Sequence, residues 1–285
     1  MTILVTGATG QVGRRFVPRL LQWVRPDETV RVRVLVRGEE SARHFTELGA
    51  RAVLGDLRDA DDRKRALEGV DDVVNVAAAF RGVPDEEAWA VNRDAAIALG
   101  REAAGAGVRR FVQASTNLVY GAGRGRPAVP QDRPEPEAVW GVYPRSKAEA
   151  EAGLTALADL RLVIVRLAFV YGEGDPHLPN AGRFIADWPA HRRLQMVHHA
   201  DVALALFRAL RTPGIEGRSY NAADDAPVTA WDIHRLNGTA FPQANVDAVD
   251  PDPWNGIASN LSLRDELGWR PVYPSVWTAR DAGAL

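Results

Sequence analysis

Tyr143 and Lys147 stand four residues apart, a spacing at which the two side chains could act on one proton. Residues i and i+4 share a face of a helix, and an ammonium beside a phenol lowers the pKa of the phenol. The chain has only two lysines against 33 arginines, and a compact ammonium fits where a broad guanidinium does not. The pair predicts acid–base chemistry; a chance pairing on a solvent-exposed helix is the alternative.

The segment that carries this pair is predicted to be a helix. Pro144 suits the first helical position, where its fixed φ is favourable and its missing N–H is not needed. Alanine and glutamate alternate from Ala148 to Ala152, and both residue types favour helix. We therefore expect Tyr143 and Lys147 on the first turn of a helix.

A glycine-rich turn near the start of the chain predicts a dinucleotide site. The apolar run Ile3-Leu4-Val5 indicates a strand, and the apolar spacing from Phe16 to Val24 indicates an amphipathic helix. Between a strand and a helix, backbone N–H groups and the positive end of the helix can bind a pyrophosphate. The predicted contacts in this turn are Gly7, Thr9, Gly10, Gln11, Val12 and Gly13.

Strands and helices alternate along most of the chain, which predicts an α/β fold. The pattern is typical of a Rossmann-type doubly wound parallel sheet with helices on both faces. We expect a dinucleotide-binding domain over 1–170, completed by about 198–223, and a small substrate-capping lobe over 171–285 interleaved with it. A loop rich in Gly, Pro and Arg over 121–139 is expected to border the substrate. Later strands are predicted at 31–36, 52–56, 73–77, 110–114 and 162–166, and helices at 88–106 and 148–158.

Composition excludes several classes of function. The net charge is −2 with both signs interspersed, so no nucleic-acid partner is expected. There is no cysteine for disulfides or thiol catalysis, and no apolar run approaches the length that spans a membrane. A strand begins at once without a signal peptide, so we expect a cytoplasmic protein. His198 and His199 lack a third ligand at metal spacing, and no metal site is predicted.

Several further segments occur in an order that points to one group of enzymes. With the glycine turn and the Tyr143/Lys147 pair, the chain resembles the extended short-chain dehydrogenase/reductases, which include nucleotide-sugar epimerases and dihydroflavonol-type ketoreductases. This resemblance covers nearly the whole chain and implies a nicotinamide-dependent enzyme. The segments that carry it are 55–59, 75–78, 91–92, 115–121, 166–172, 198–202 and 266–271.

The resemblance implies a role for each catalytic residue. Tyr143 would exchange a proton with the substrate oxygen, while Lys147 would assist its ionisation and hydrogen-bond the nicotinamide ribose. A hydroxyl at the end of the fifth strand would complete the site. Thr116, four residues before Tyr120, is the predicted residue, with neighbouring Ser115 as the alternative. A hydroxyl that only satisfies a backbone group is the competing interpretation.

The end of the second strand bears on the choice of cofactor. An acidic residue there binds the ribose 2′-hydroxyl of NAD, whereas arginine accommodates the 2′-phosphate of NADP. Arg37 occupies this position, as in the ketoreductases, so NADP(H) is favoured; NAD(H) is the alternative because Glu39 and Glu40 lie nearby. The remaining cofactor contacts that the resemblance implies are Asp56, Leu57, Ala77 and Ala78.

Departures from the family pattern concern the substrate. Asn117 and Leu118 stand where the dehydratases have an Asp-Glu pair, so dehydration is not expected. Phe169 replaces an asparagine that contacts nucleotide sugars, and Leu194 replaces an arginine that meets their diphosphate, although Arg193 is adjacent. The stretch 174–195 is also short for a lobe that covers a nucleoside diphosphate. We expect a smaller or less anionic substrate, with Asn117, Phe169 and Arg193 as candidate contacts.

These observations favour an NADP(H)-dependent oxidoreductase that transfers a hydride between nicotinamide and a ketone or secondary alcohol. One alternative is a nucleotide-sugar or sugar epimerase that oxidises its substrate transiently with bound NAD. A second alternative is a non-catalytic cofactor-sensing protein, although such regulators commonly lose the Tyr/Lys pair. Alanine-rich helices over 95–106 and 148–158 would permit a homodimer.

Overall fold

Seven of the described strands form one parallel sheet at the centre of the fold. The structure, a computed structural model, describes residues 1–24, 29–80, 82–137 and 140–285. The strands are β1 (Thr2–Thr6), β2 (Arg31–Val36), β3 (Arg51–Leu54), β4 (Asp72–Asn75), β5 (Arg110–Thr116), β6 (Leu162–Leu167), β7 (Phe169–Tyr171), β8 (Arg193–Leu194), β9 (Met196–His198), β10 (Arg218–Ala222) and β11 (Val228–Thr229). The order in the main sheet is β10-β6-β5-β4-β1-β2-β3. The strand order reverses between β1 and β4, and ligands of such sheets bind at that crevice.

Helices cover both faces of this sheet. They are α1 (Gly13–Trp23), α2 (Glu39–Glu47), α3 (Ala60–Leu67), α4 (Asp85–Trp89), α5 (Ala96–Gly105), α6 (Val142–Thr155), α7 (His199–Arg211), α8 (Ala230–Leu236), α9 (Leu261–Leu267) and α10 (Val276–Asp281). A π-helical turn, Ala90–Ala95, joins α4 to α5. Within the described residues, none of these helices combines the length and the apolar character needed to cross a bilayer.

The alternation of side chains along β1 shows how the two faces are buried. Ile3 and Val5 pack into the core cluster that includes Phe16 of α1 and the apolar face of α7. Leu4, between them, packs into the opposite cluster with side chains of α3, α5 and α6. Successive residues of a strand point to opposite faces, so a continuous apolar run is what a sheet buried on both sides requires. The predicted doubly wound parallel sheet is confirmed.

Element boundaries differ from the predicted ones by a few residues. β3 ends at Leu54 rather than 56 because the chain turns away, with the Asp56 N–H donating to the Asp62 carboxylate at 2.7 Å. β4 likewise ends at Asn75 rather than 77. The sheet also gains β10, whose pairing with β6 brings residues 218–222 into it. In the loop predicted over 121–139, residues 138 and 139 lie outside the described residues.

Two glycines let α5 and α6 pack closely. A Cβ added to Gly100 would lie 2.3 Å from Leu154 Cδ2, and one added to Gly153 would lie 2.3 Å from Ile97 Cδ1. Both distances are far below a normal carbon contact, so a larger residue at either position would require the Leu154 or Ile97 side chain to move. Because α6 carries Tyr143, this packing fixes the height of the tyrosine relative to the sheet.

The C-terminal residues form a smaller layer beside the main sheet. Its backbone pairs are β7 with β9, which run parallel, and β8 with β11, which run antiparallel. A separate apolar cluster holds this layer together and includes the buried side chains of Ile185, Met196 and Val276. The layer therefore has its own core and lies next to the end of β6.

Candidate active site

The glycine turn between β1 and α1 leaves no room for side chains. Gly7 has φ of +74°, and a Cβ on it would lie 2.4 Å from the Ala77 nitrogen. A Cβ on Gly13 would lie 2.2 Å from the Gly7 carbonyl oxygen, so α1 starts directly against the turn. The Gly10 N–H donates to the same oxygen at 3.1 Å. This close backbone packing at a helix N-terminus fits a pyrophosphate, as the motif predicts.

The tip of the turn is open to solvent. Thr9, Gly10 and Gln11 are exposed, and Val12 is half-buried. The Gln11 side-chain oxygen accepts from Arg15 at 2.8 Å. The backbone of this tip therefore remains accessible from the side on which the cofactor is predicted.

The ends of β2 and β3 present charged groups side by side. Arg37, just past β2, is exposed, and Asp56 follows the neighbouring β3. Arg58 donates to the Asp56 carboxylate at 2.7 Å. That hydrogen bond, with a smaller contribution from Arg37, lowers the pKa of Asp56. Arg58 thus joins Arg37 at the predicted adenosine end of the cofactor, which the sequence had not indicated. Leu57, between Asp56 and Arg58 in the chain, is half-buried.

Tyr143 and Lys147 lie on α6, close to its start. The helix begins at Val142, after Gly141 with φ of +71°, so Pro144 is its third residue rather than its first. Lys147 consequently falls on the second turn and not on the first as predicted. Tyr143 is half-buried, whereas Lys147 is buried. Burial lowers the pKa of Lys147 to about 8, and Glu151 opposes this shift.

Asn92, on the π-helical turn, connects the loop after β4 to the helix of Tyr143. Its amide accepts from the Ala79 N–H at 2.8 Å and donates to the Ala79 carbonyl at 2.9 Å. It also donates to the Ser146 hydroxyl at 3.1 Å, which in turn donates to the Tyr143 carbonyl at 2.8 Å. π-helical turns are frequent at functional sites. The amide therefore ties the start of α6 to the loop after β4. The resemblance had marked 91–92, but not the link through Ser146.

Ser115 and Thr116 end β5, and both are buried. As consecutive strand residues they point to opposite faces of the sheet. The Thr116 hydroxyl accepts from the Leu118 N–H at 3.3 Å and caps the short 3₁₀ helix Asn117–Tyr120. The Ser115 hydroxyl has no hydrogen-bond partner among the described residues. The Asn117 amide donates to the Gly256 carbonyl at 2.8 Å, which ties this turn to the C-terminal layer.

A buried ion pair lies one helical turn beyond Lys147. Arg166 on β6 meets Glu151 at 2.7 Å and donates to the Tyr120 hydroxyl at 2.7 Å. Tyr120 donates to Asn221 of β10 at 2.6 Å. Burial opposes the charge of Arg166, but the Glu151 hydrogen bonds outweigh it and raise the pKa of Arg166. The network ties α6 to β6 and β10, the two strands at one edge of the main sheet.

Four rings extend from Tyr143 into the C-terminal layer, and we call them the aromatic wall. Phe80 lies 4.4 Å from the Tyr143 ring centroid and 5.8 Å from that of His177. His177 stacks on Phe169 at 3.9 Å with an interplanar angle of 20°. Phe184 continues the row 5.7 Å from Phe169. Phe169 was a predicted substrate contact; Phe80 and His177 were not predicted.

The arginines next to the wall contact other groups. Arg193, a predicted substrate contact, donates to the Pro253 carbonyl at 2.8 Å and lies over Trp254. Arg192 lies 4.3 Å above the ring of Trp188. Trp188 in turn meets Trp140, just before α6, at 6.2 Å between ring centroids. These cations are thus engaged within the C-terminal layer.

Comparisons with known proteins agree with this geometry. Residues 3–223 match the model of the NAD dependent epimerase/dehydratase family. The chain is 30% identical over 96% of its length to a 4-hydroxy-2-methyl-3-oxo-4-farnesyl-3,4-dihydroquinoline-1-oxide ketoreductase of Stigmatella aurantiaca, of which 82% is covered. It is 33% identical over 94% of its length to sterol demethylase protein B of Methylococcus capsulatus, again with 82% of that protein covered.

A solved structure resembles the whole chain. The dTDP-glucose 4,6-dehydratase DesIV of Streptomyces venezuelae, with NAD bound, aligns with a TM-score of 0.77 at 25% identity. The alignment covers 99% of this chain and 97% of that one. The fold of this chain therefore matches that of a protein whose structure contains NAD.

Proposed function

The chain belongs to the NAD-dependent epimerase/dehydratase family, within the extended short-chain dehydrogenase/reductases, and from this premise we propose that it is a carbonyl reductase or alcohol dehydrogenase. It interconverts a ketone and a secondary alcohol, with NADP(H) as the preferred cofactor. The observation that carries this proposal is Tyr143, half-buried beside Phe80 and one helical turn from the buried Lys147. An acid–base phenol next to an apolar surface suits a carbonyl compound better than a sugar.

The residues divide the work of the reaction between them. A bound nicotinamide dinucleotide supplies the hydride for reduction or receives it in oxidation. Tyr143 donates a proton to the substrate oxygen in reduction and removes it in oxidation. Lys147 carries a positive charge below its pKa of about 8 and stabilises the phenolate form of Tyr143. The Thr116 hydroxyl, at the end of β5, orients the substrate oxygen.

The choice of cofactor follows from the ends of β2 and β3. Arg37 and Arg58 offer two guanidinium groups where the adenosine ribose would lie, and guanidinium groups bind phosphate in a bidentate manner. The Asp56 carboxylate pairs with Arg58, and this ion pair competes with the hydrogen bond that Asp56 would accept from the adenine. NADP(H) is therefore preferred over NAD(H).

Residues 171–285 supply the surface that covers the substrate.

The first experiment measures initial rates with NADPH and with NADH on a panel of ketones and on UDP-glucose. Reduction of ketones with exchangeable cofactor supports the proposal. The family name favours epimerisation as the second candidate, and analysis of the nucleotide that copurifies separates the two. Stoichiometric NAD that neither dissociates nor exchanges, together with turnover of a sugar nucleotide, would show that the protein is an epimerase rather than a reductase.

A further inference from the structure

The aromatic wall forms a continuous apolar surface that starts at the catalytic phenol. Phe80 touches Tyr143 on one side and His177 on the other, with centroid distances of 4.4 and 5.8 Å. From His177 the rings of Phe169 and Phe184 continue away from Tyr143. A substrate whose oxygen lies at Tyr143 must therefore place its next atoms against aromatic carbon.

The central pair of rings is fixed before any ligand arrives. The His177 Nδ1 lies 3.0 Å from the Val170 carbonyl oxygen, and a carbonyl only accepts, so this nitrogen carries a proton. The His177 backbone N–H donates to the Asp175 carboxylate at 2.9 Å. Asp175 is itself buried and accepts from His199 at 2.7 Å. Phe169 and His177 thus form a preorganised pair of nearly parallel rings, which cover each other's inner faces and leave one outer face on each ring.

The wall is also partly accessible, as a binding surface must be. Phe80 is 37% exposed, and Phe169, His177 and Phe184 are half-buried rather than buried. Half-buried rings gain further burial when a ligand covers them, and apolar burial favours binding. Arg192 and Arg193 lie over the rings of Trp188 and Trp254, so their guanidinium groups are engaged outside the wall.

We propose that the substrate carries a planar, apolar group next to its carbonyl, and that the outer face of the stacked Phe169–His177 pair selects it by stacking. The inference rests on the proposed carbonyl reductase and specifies the substrate class of that same site. Aromatic stacking adds a preference beyond simple burial, and offset or tilted rings at these separations are favourable. Phe169 becomes a specificity-determining residue in place of the asparagine that its sugar-specific relatives use.

The test compares 2-acetylnaphthalene with 2-butanone in the full-length protein. We expect the flat ketone to have the higher kcat/KM by at least about tenfold, the factor that one well-packed aromatic contact supplies. Phe169→Asn should lower that ratio by about tenfold, mainly through KM of the flat ketone, and Phe169→Leu should lower it less. Phe241→Leu is the matched control, because Phe241 packs against Trp231 and His234 instead of the wall.

A binding measurement separates this inference from the proposed reaction. The fluorescence of 2-acetylnaphthalene is followed as each cofactor-saturated variant is added, which gives its Kd. Phe184→Leu is a second wall variant in case Phe169→Asn does not fold. Naphthyl binding that depends on the wall, without turnover of any ketone, would uphold the inference and overturn the reductase. The inference would be overturned if Phe169→Asn lowered kcat/KM equally for both ketones. It would also be overturned if the protein preferred UDP-glucose to the ketones.

Discussion

The cofactor turn and the aromatic wall are built by different means. The turn is a backbone structure, in which Gly7 and Gly13 let main-chain atoms approach to distances that no Cβ allows. The wall is a side-chain structure, assembled from the loop after β4, from β7 and from the C-terminal layer. Backbone geometry fixed by glycine tolerates almost no substitution, whereas a row of rings can change its shape one residue at a time. One fold can therefore keep its cofactor while its substrate changes.

The largest effect is expected at Tyr143, where the aromatic wall begins. Tyr143→Phe removes the hydroxyl that we propose as the proton donor and acceptor, and such groups contribute about a hundredfold to ten-thousandfold in rate. We expect kcat to fall by that factor while cofactor affinity stays within about twofold. Stopped-flow nicotinamide absorbance gives the rate, and calorimetric titration gives the affinity. Tyr273→Phe, whose ring packs on His198, is the control; full activity in Tyr143→Phe would remove this residue from the mechanism.

Gly7→Ala tests whether the turn depends on close backbone approach. The added Cβ would meet the Ala77 nitrogen at 2.4 Å, so the turn must open and cofactor affinity should fall about a hundredfold. Gly49→Ala is a matched control, because Gly49 also has a positive φ of +98° but nothing lies within 4 Å of its Cβ position. Equal losses in both variants would assign the effect to backbone strain alone.

A pH titration of stability probes the polar core beside the wall. Burial raises the pKa of Asp224 to about 8, and Asp224 Oδ2, Gln195 Oε1 and Tyr171 Oη have no partner among the described residues. A carboxyl whose folded pKa lies above its unfolded value stabilises the fold at low pH, and that contribution declines up to the folded pKa. Stability should therefore fall by about 2 kcal/mol between pH 6 and 8, and less in Asp224→Asn. Urea unfolding at each pH measures it; parallel curves for the two proteins would contradict the assignment.

Arg37→Glu should produce the smallest of these effects, because it alters a single charged group just past the end of β2. Loss of a charge-assisted phosphate contact should reduce the ratio of kcat/KM for NADPH over NADH by about tenfold. Adding Arg58→Gln to Arg37→Glu should reduce the NADPH/NADH ratio further if both guanidinium groups bind the 2′-phosphate. Arg43→Glu, on the exposed side of α2, provides a charge-matched control. An unchanged ratio would show that Arg37 does not read the phosphate.

The same contrast explains what the sequence could predict. The parallel sheet, the glycine turn and the helix of Tyr143 depend on local patterns of a few residues, and the structure contains all three. The wall could not be predicted, because Phe80 and His177 are separated by nearly a hundred residues and meet only through the fold. Phe169 was noticed as a departure from a family pattern, which indicated its position but not its stacking partner.

Smaller departures have equally physical causes. The sequence placed Pro144 at the start of α6, but Gly141 with its positive φ allows the helix to begin at Val142. The link from Asn92 through Ser146 to Tyr143 joins residues far apart in the chain, so no local pattern reveals it. No role was predicted for Arg58, because only the turn after β3 brings its side chain to Asp56.

The contact between Trp140 and Trp188 offers an optical signal for motion. The two indole planes are nearly perpendicular, with Trp140 just before the helix of Tyr143 and Trp188 in the C-terminal layer. Indole emission responds to the distance and orientation of neighbouring rings. If that layer shifts when ligands bind, the emission difference between this protein and Trp140→Phe will follow the shift in real time, without an attached dye.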